Sequence, residues 1–159
     1  MTLSLAPFVP SRPEVVQRML QISNVTSQDV VCDLGCGDGR IPLSAVNDFD
    51  ARKAIGYEVR KDLFQQALEE VANQNLQNQI ILINLDLMKA DISEATVITL
   101  YLTTSGNKHL KPKLFNEAKQ GTRIVSHDFQ IQGWHPTYKE NFQGHTIYLY
   151  LIPDAFQQN

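Results

Sequence analysis

One glycine-rich segment of the sequence has residue types and a spacing that could bind a ligand. It reads Asp33-Leu34-Gly35-Cys36-Gly37-Asp38-Gly39 and lies between an aliphatic run and a predicted helix. Alternating glycines permit sharp turns and let the backbone approach a ligand closely. The helix that follows would offer free N–H groups and the positive end of its dipole. The segment therefore predicts a ligand-binding loop, with candidate binding residues Asp33, Gly35, Cys36, Gly37 and Gly39.

Two further carboxylates occupy positions from which a nucleoside could be held. Glu58 ends the second predicted strand, where its side chain could accept hydrogen bonds from both ribose hydroxyls, with Val59 beside it. Asp86 follows the third predicted strand and could bind an adenine amino group, while Leu87 or Met88 packs on the ring. The three carboxylates together predict a ligand that contains a nucleoside.

Two classes of nucleoside ligand compete for this loop. A nicotinamide dinucleotide is typical of the pattern G-x-G-x-x-G, but Arg40 stands where the last glycine is required. The carboxylate of Asp33 would repel a pyrophosphate and attract a cation. S-adenosylmethionine carries an ammonium and a sulfonium and no phosphate. The loop therefore favours S-adenosylmethionine, with S-adenosylhomocysteine as its product, over a dinucleotide.

The elements that must position these residues alternate between strand and helix periods. Apolar spacing predicts helices over 13–22, 40–46, 61–72 and 110–118, and aliphatic runs predict strands over 30–34, 53–58, 80–84, 96–102 and 122–126. The segments 138–142 and 146–152 predict an antiparallel hairpin. This order is typical of an α/β fold: a Rossmann-like, doubly wound, mostly parallel seven-stranded sheet with a C-terminal antiparallel hairpin. Residues 1–159 are expected to form one domain, with an N-terminal flap and helix over 1–24 and the core over 29–152.

Composition excludes several other classes of protein. The formal net charge is -3, with 14 basic and 17 acidic residues, so no nucleic-acid partner is expected. No apolar run approaches the roughly 18 residues of a membrane span, and the N-terminus lacks the features of a signal peptide. Cys32 and Cys36 are the only cysteines, which indicates reduced thiols in a cytoplasmic protein. Two neighbouring cysteines do not supply a metal-ligand set, so no metal site is predicted.

At the level of these motifs, the sequence resembles the class I, seven-stranded S-adenosylmethionine-dependent methyltransferases. The likeness rests on the glycine-rich loop with Arg40-Ile41, on Gly56-Tyr57-Glu58 and on Asp86-Leu87. It implies that Asp33, Gly35, Gly37 and Glu58 bind the cofactor and that Asp86 binds the adenine.

Other segments are similar to a smaller family within this class. They are Phe8-Val9-Pro10-Ser11, 95–102, 121–127 and Trp134-His135-Pro136. Its mitochondrial members methylate lysines of the ATP synthase c-subunit and the adenine nucleotide translocase, and it includes bacterial relatives. The resemblance implies that Phe8, Val9 and Pro10 fold over the cofactor. The mitochondrial members carry a membrane-anchoring segment before the core, and because few residues precede Phe8 a membrane-embedded substrate is not expected here.

Two residues are candidates for catalysis, although methyl transfer from a sulfonium mainly requires alignment and desolvation. Tyr101 ends the fourth predicted strand, where it could line the methyl-transfer channel and contact the cofactor, or pack in the core. His127 follows the fifth strand and could accept a proton or serve a structural role. His109 and His145 are expected at the surface. Selection of the substrate is expected from the N-terminal flap, the loop 103–107, the loop 126–136 or a second protein.

The sequence leaves three functions open. The first is a methyltransferase that acts on a protein lysine, which is the function implied by the resemblance. The second is a small-molecule methyltransferase, and the third is a non-catalytic module that binds S-adenosylmethionine. The segment 100–104 reads Leu-Tyr-Leu-Thr-Thr in place of the Asn/Asp-Pro-Pro-Tyr/Phe sequence of many base-methylating enzymes. The oligomeric state is not predicted.

Overall fold

Seven strands and four α-helices alternate along the part of the chain described by the computed structural model, residues 8–157. The helices are α1 (Pro13–Ile22), α2 (Arg40–Phe49), α3 (Lys61–Asn73) and α4 (Thr104–Glu117). The strands are β1 (Val30–Leu34), β2 (Lys53–Tyr57), β3 (Ile80–Ile83), β4 (Val97–Leu100), β5 (Arg123–His127), β6 (Tyr138–Phe142) and β7 (His145–Leu151). Short 3₁₀ turns lie at Leu87–Lys89 and Asp154–Phe156.

All seven strands join one sheet in the order β3-β2-β1-β4-β5-β7-β6. The first five strands pair in parallel, and β7 and β6 are antiparallel to their neighbours. The predicted fold class is therefore confirmed, including the C-terminal hairpin. The strand order reverses between β1 and β4, and in open α/β sheets ligands bind outside the carboxyl ends of the strands at such a point.

Both faces of the sheet are covered, which explains why the central strands are aliphatic throughout. In β1, Val31 packs with the apolar faces of α1 and α2, while Cys32 and Leu34 point to the other side, where Leu110 and Leu114 of α4 lie. All five residues of β1 are buried. This near-continuous burial is typical of a parallel strand between two helical layers.

Helix α4 begins earlier than the sequence predicts. The segment Ser105–Asn107, predicted to lie in a loop, lies in the first turn of α4. The side chain of Thr103 caps this helix by accepting a hydrogen bond of 2.9 Å from the Gly106 N–H. Asn107 is buried and donates to the carbonyls of Phe129 and Gln130. The segment 103–107 is therefore a fixed helix start and not a loop, and its part in substrate selection stays a prediction.

The domain organisation and the membrane prediction concern the whole chain, whereas the structure describes residues 8–157. Residues 1–7 and 158–159 lie outside them, so the single-domain organisation over 1–159 and the first part of the 1–24 flap stay predictions. Within residues 8–157, no helix has both the length and the apolar character that a membrane crossing requires.

An ion pair connects elements at the amino ends of the parallel strands, on the opposite side of the sheet from the glycine loop. Asp29, just before β1, contacts Arg123 at the start of β5 and accepts a hydrogen bond of 2.8 Å from the Thr96 hydroxyl. Arg123 also donates to the Ser23 carbonyl after α1. Burial raises the pKa of Asp29, but the Thr26 N–H, the Thr96 hydroxyl and the Arg123 charge outweigh it, so the pKa is lowered. This carboxylate therefore joins β1, β5 and the end of α1.

We expect Asp29→Asn to destabilise the fold at pH 7 by about 1–3 kcal/mol, because it removes the counter-charge of the partly buried Arg123 guanidinium. Because the folded-state pKa of Asp29 lies below its unfolded value, this stabilisation is present above about pH 4 and is lost as the pH falls. Urea unfolding at pH 7 and pH 3 measures both effects. Glu94→Gln, in the exposed pair with Lys53, is the matched control and should change stability by less than about 0.5 kcal/mol. Equal losses in the two variants would contradict the role of Asp29.

Candidate active site

A pocket opens at the carboxyl ends of β1, β2 and β4, where the strand order reverses. The space that the pocket bounds, counted together with the open solvent at its mouth, is about 790 Å³. Of the thirteen predicted cofactor-binding residues, twelve line it: Phe8, Val9, Pro10, Asp33, Gly35, Cys36, Gly37, Glu58, Val59, Asp86, Leu87 and Tyr101.

Gly39 is the predicted residue that does not line the pocket. Its φ is +88°, and a Cβ built there would lie 3.1 Å from the Cβ of Ala67 in α3. Gly39 immediately precedes α2 and lets that helix approach α3 closely. The contact of Gly39 with the cofactor stays a prediction, whereas its place between α2 and α3 gives it a packing role.

Asp33 is a carboxylate buried in the floor of the pocket. It lies directly opposite Thr99 in the β1–β4 register, and the Thr99 hydroxyl donates a hydrogen bond of 2.8 Å to it. Burial, opposed by this bond and reinforced by the charges of Glu58 and Asp38, raises the pKa of Asp33 to about 7. A cationic group in the pocket would offset that cost. The site therefore favours a ligand that carries positive charge.

Glu58 holds the glycine loop against the end of β2. One of its carboxylate oxygens accepts from the Gly37 N–H and the other from the Arg60 N–H, both at 2.9 Å. The Tyr57 carbonyl meanwhile accepts from the N–H groups of Gly35 and Cys36. Since each carboxylate oxygen can accept more than one hydrogen bond, Glu58 keeps acceptor capacity for ligand hydroxyls.

Asp86 and Leu87 form the wall of the pocket after β3. Asp86 caps the short 3₁₀ turn, because its side chain accepts from the Met88 N–H at 3.0 Å. Leu87 is buried and lies near Gly35, within van der Waals reach of a Cβ built there. This wall presents a carboxylate beside an apolar surface, which is suited to the edge and face of a purine.

The N-terminal segment 8–11 lies across the pocket and is tied down at Ser11. Phe8 packs so closely on Gly37 that a Cβ there would come 2.5 Å from the Phe8 ring. The Ser11 carbonyl accepts from the Arg40 guanidinium at 2.9 Å, and the Ser11 hydroxyl lies 2.9 Å from His127 Nδ1. Residues 1–7 of the predicted flap lie outside the described residues.

Arg40 and Ser11 are site residues that sequence reasoning missed. Arg40 forms an ion pair of 2.6 Å with Asp38 of the glycine loop while it donates to Ser11. In the sequence, Arg40 argues against a dinucleotide motif and belongs to the motif that carries the resemblance. Its position after the last glycine could have suggested a residue that fixes the loop to a neighbouring segment.

Cys36 is a protonated thiol, because burial raises its pKa well above the usual value.

Tyr101 and His127 are brought together, but only Tyr101 lines the pocket. Their rings stack with centroids 3.8 Å apart. Burial, the charge of Asp128 and a hydrogen bond to it raise the pKa of Tyr101, so the phenol keeps its proton. Burial lowers the pKa of His127 to about 4, and its ring is neutral at pH 7. His127 thus lies behind Tyr101 and is not part of the pocket lining.

His145, expected at the surface, instead joins the same cluster. Its Nδ1 lies 2.9 Å from His127 Nε2 and 3.1 Å from both carboxylate oxygens of Asp128. The antiparallel pairing of β5 with β7 places His127 opposite Ile147, next to the start of β7. No local signal in the sequence could have revealed this contact. Trp134, which lies in the loop 126–136, is buried against Phe156 and Tyr150 and does not line the pocket.

The reversed strand order and the three acidic positions define the class I S-adenosylmethionine-dependent methyltransferases, with S-adenosylmethionine as methyl donor. Residues 33–138 match the ANTKMT methyltransferase domain, and the chain belongs to that family.

Two curated relatives and one solved structure extend the likeness. The chain is 43% identical over 150 residues to a protein-lysine N-methyltransferase of Saccharolobus islandicus (strain REY15A), covering 92% of this chain and 93% of that protein. It is 29% identical to the adenine nucleotide translocase lysine N-methyltransferase of Mus musculus, and the match covers 82% of this chain but 56% of that one. A crystal structure described as an RNA methyltransferase from Salinibacter ruber in complex with S-adenosyl-L-homocysteine superposes with a TM-score of 0.90 at 39% identity, covering 95% and 98% of the two chains.

We expect Asp33→Asn to stabilise the ligand-free protein at pH 8 while it abolishes stabilisation by S-adenosylhomocysteine. The folded-state pKa of Asp33, about 7, exceeds its unfolded value, so the wild type loses stability as the pH rises from about 4 to 7. The variant escapes this loss. Thermal melts at pH 5 and pH 8 should show a larger gain at pH 8, on a scale of about 2–4 °C per kcal/mol. The same gain at both pH values would contradict the assignment.

We expect Glu58→Ala to weaken binding of S-adenosylhomocysteine roughly 10- to 100-fold, the value of one or two hydrogen bonds to a charged acceptor. Calorimetric titration measures the affinity. Asp62→Asn is the matched control, since Asp62 is an exposed carboxylate paired with Arg60 outside the pocket lining and should leave the affinity unchanged. Unaltered binding in Glu58→Ala would contradict the assignment of Glu58. Stabilisation of the wild type by NAD instead would contradict it too, because the ligand would then be a dinucleotide.

Proposed function

We propose that this methyltransferase transfers a methyl group from S-adenosylmethionine to the side-chain amine of a lysine in a protein substrate. The observation that carries the proposal is the 43% identity to a protein-lysine N-methyltransferase over nearly the whole of both chains. The weaker likeness to the mouse lysine methyltransferase points to the same acceptor.

The pocket residues supply the cofactor contacts in this proposal. Asp33 faces the ammonium, because a cation offsets the cost of its burial. Glu58 accepts from the ribose hydroxyls, and Asp86 accepts from the adenine amino group beside Leu87. The backbone of Gly35, Cys36, Gly37 and Val59 bounds the ligand, and Phe8, Val9 and Pro10 cover it. When bound, S-adenosylmethionine supplies a methyl group on a sulfonium that is already an activated leaving group.

Tyr101 is the residue that we assign to the acceptor side. It directly follows β4 and lines the pocket, and burial and the Asp128 carboxylate raise the pKa of its phenol. A neutral phenol has lone pairs that can accept from an incoming amine. We assign His127 a positioning role, because its neutral ring stacks on Tyr101 and contacts Ser11 and His145. Such alignment is the main contribution that an enzyme makes to a displacement reaction.

A methyl acceptor in RNA is the second candidate, favoured by the description of the Salinibacter ruber structure. Two features of this chain argue against it. The net charge is -3, whereas RNA binding normally requires a basic surface. The segment after β4 also lacks the Pro-Pro sequence of many base-methylating enzymes.

We further infer a cytoplasmic location, supported by the two buried thiols of Cys32 and Cys36, neither of which forms a disulfide.

The test of this proposal is transfer of label from methyl-tritiated S-adenosylmethionine into host lysate. We expect protease-sensitive, nuclease-resistant label, with methyllysine found by mass spectrometry of the labelled band. Nuclease-sensitive label would overturn the lysine acceptor in favour of RNA. Label in the small-molecule fraction would overturn it in favour of a small-molecule acceptor. S-adenosylhomocysteine binding without any transfer would indicate a non-catalytic module.

Variants of Tyr101 sharpen this assay. Tyr101→Ala removes the wall of the acceptor side and should lower kcat roughly 100-fold, the effect of misplacing a substrate by about 1 Å. Tyr101→Phe keeps the ring and its stacking on His127 but loses the hydroxyl that accepts from the amine, so it should lower kcat about 10-fold, less than Tyr101→Ala does. Calorimetry with S-adenosylhomocysteine checks that both variants still bind the cofactor product. Equal activity in the two variants would remove Tyr101 from the acceptor side.

A further inference from the structure

Three potential metal ligands converge at the carboxyl end of β5. They are His127, Asp128 and, from the start of β7, His145. We propose that these residues form a binding site for a divalent transition-metal ion, with Zn²⁺ as the reference ion. The sequence predicts no metal site, because the ligands are 18 residues apart and only the hairpin brings them together. The proposal does not depend on the nature of the methyl acceptor.

The distances between the donor atoms fit a single ion. His127 Nε2 and His145 Nδ1 are 2.9 Å apart. The Asp128 carboxylate lies 3.1 Å from His145 Nδ1 and 3.5 Å from His127 Nε2. Ligands about 2.0–2.1 Å from one Zn²⁺ are separated from their neighbours by roughly 2.8–3.4 Å, from octahedral to tetrahedral geometry. An ion therefore fits among the three donors after shifts of a few tenths of an ångström.

The groups around the ligands are those that orient metal-binding side chains. His127 Nδ1 lies 2.9 Å from the Ser11 hydroxyl, so the opposite nitrogen, Nε2, faces the other two ligands. Metal-binding imidazoles commonly donate their other N–H to such a partner, which fixes the ring and the tautomer. Asp128 is oriented by the Thr146 N–H, which donates to it at 3.2 Å.

The exposure of the cluster allows an ion to reach it. The His127 side chain is buried, with 1% of its surface exposed, whereas 28% is exposed for both Asp128 and His145. One side of the site therefore faces solvent, where water can complete the coordination. Two imidazoles and one carboxylate favour Zn²⁺ and related transition metals over Mg²⁺ and Ca²⁺, which prefer sets of oxygen ligands.

A bound ion would join three parts of the chain beside the pocket. It would connect the end of β5 to the start of β7 and, through the contact between His127 and Ser11, would hold the N-terminal segment. His127 also stacks on Tyr101, which lines the pocket. The site is thus placed to stiffen the acceptor side and the cover of the pocket together.

The experiment is a calorimetric titration of tag-free, chelator-treated protein with Zn²⁺ at pH 7.5, and with Mg²⁺ in parallel. We expect one equivalent of Zn²⁺ at micromolar Kd or tighter, no Mg²⁺ binding, and at least 10-fold weaker Zn²⁺ binding in His145→Ala. His109→Ala, a histidine on the exposed face of α4, is the matched control and should bind as the wild type does. Co²⁺ should give visible absorption bands that His145→Ala loses.

Three results would overturn the site. They are Zn²⁺ binding weaker than about 100 µM, affinity unchanged in His145→Ala, or an equal loss in His109→Ala, which would mean adventitious binding at the surface. Binding of S-adenosylhomocysteine by His145→Ala checks that the variant is folded. No methyl acceptor is needed, so failure of the metal site and failure of the lysine proposal are separate outcomes.

Discussion

The burial of the Asp33 carboxylate is the constraint around which the pocket is organised. An ionised carboxylate in an apolar interior is costly unless a partner compensates it, and among residues 8–157 the group that donates to Asp33 is the Thr99 hydroxyl. Parallel pairing of β1 with β4 places the two residues in register, and the reversal of strand order at the same point opens space for a ligand. The fold therefore presents an electrostatic demand that a cationic ligand satisfies.

The glycine loop and the N-terminal segment are held by polar contacts that converge from several elements. Glu58 fixes the loop from β2, and Arg40 fixes it from the first turn of α2 through Asp38. Ser11 is then held from both sides, by Arg40 and by His127. The N-terminal segment and the glycine loop are thus held by contacts within the protein that need no bound ligand. Contacts from Arg40 to Ser11 and from Ser11 to His127 thus connect the glycine loop with the Tyr101 side of the pocket.

Much of this arrangement could be predicted from the sequence because its signals are local. Aliphatic runs mark strands buried on both faces, and the glycine loop with Glu58 and Asp86 marks the carboxyl ends of three of them. The features that the sequence did not predict depend on tertiary contacts. The start of α4 depends on carbonyls of a distant loop that accept from Asn107. The position of Gly39 depends on Ala67 in another helix, and that of His145 on the pairing of β7 with β5.

The two-residue turn between β6 and β7 has an evolutionary consequence. Gln143 and Gly144 both have positive φ, and this turn sets which residues of β7 face the end of β5. Because side chains alternate along a strand, a shift of one residue in the pairing would move His145 to the opposite face of the sheet. Insertions in this turn would separate His145 from Asp128 even if both residues were retained. Among relatives, the length of this turn and the residues at the positions of Asp128 and His145 should therefore vary together.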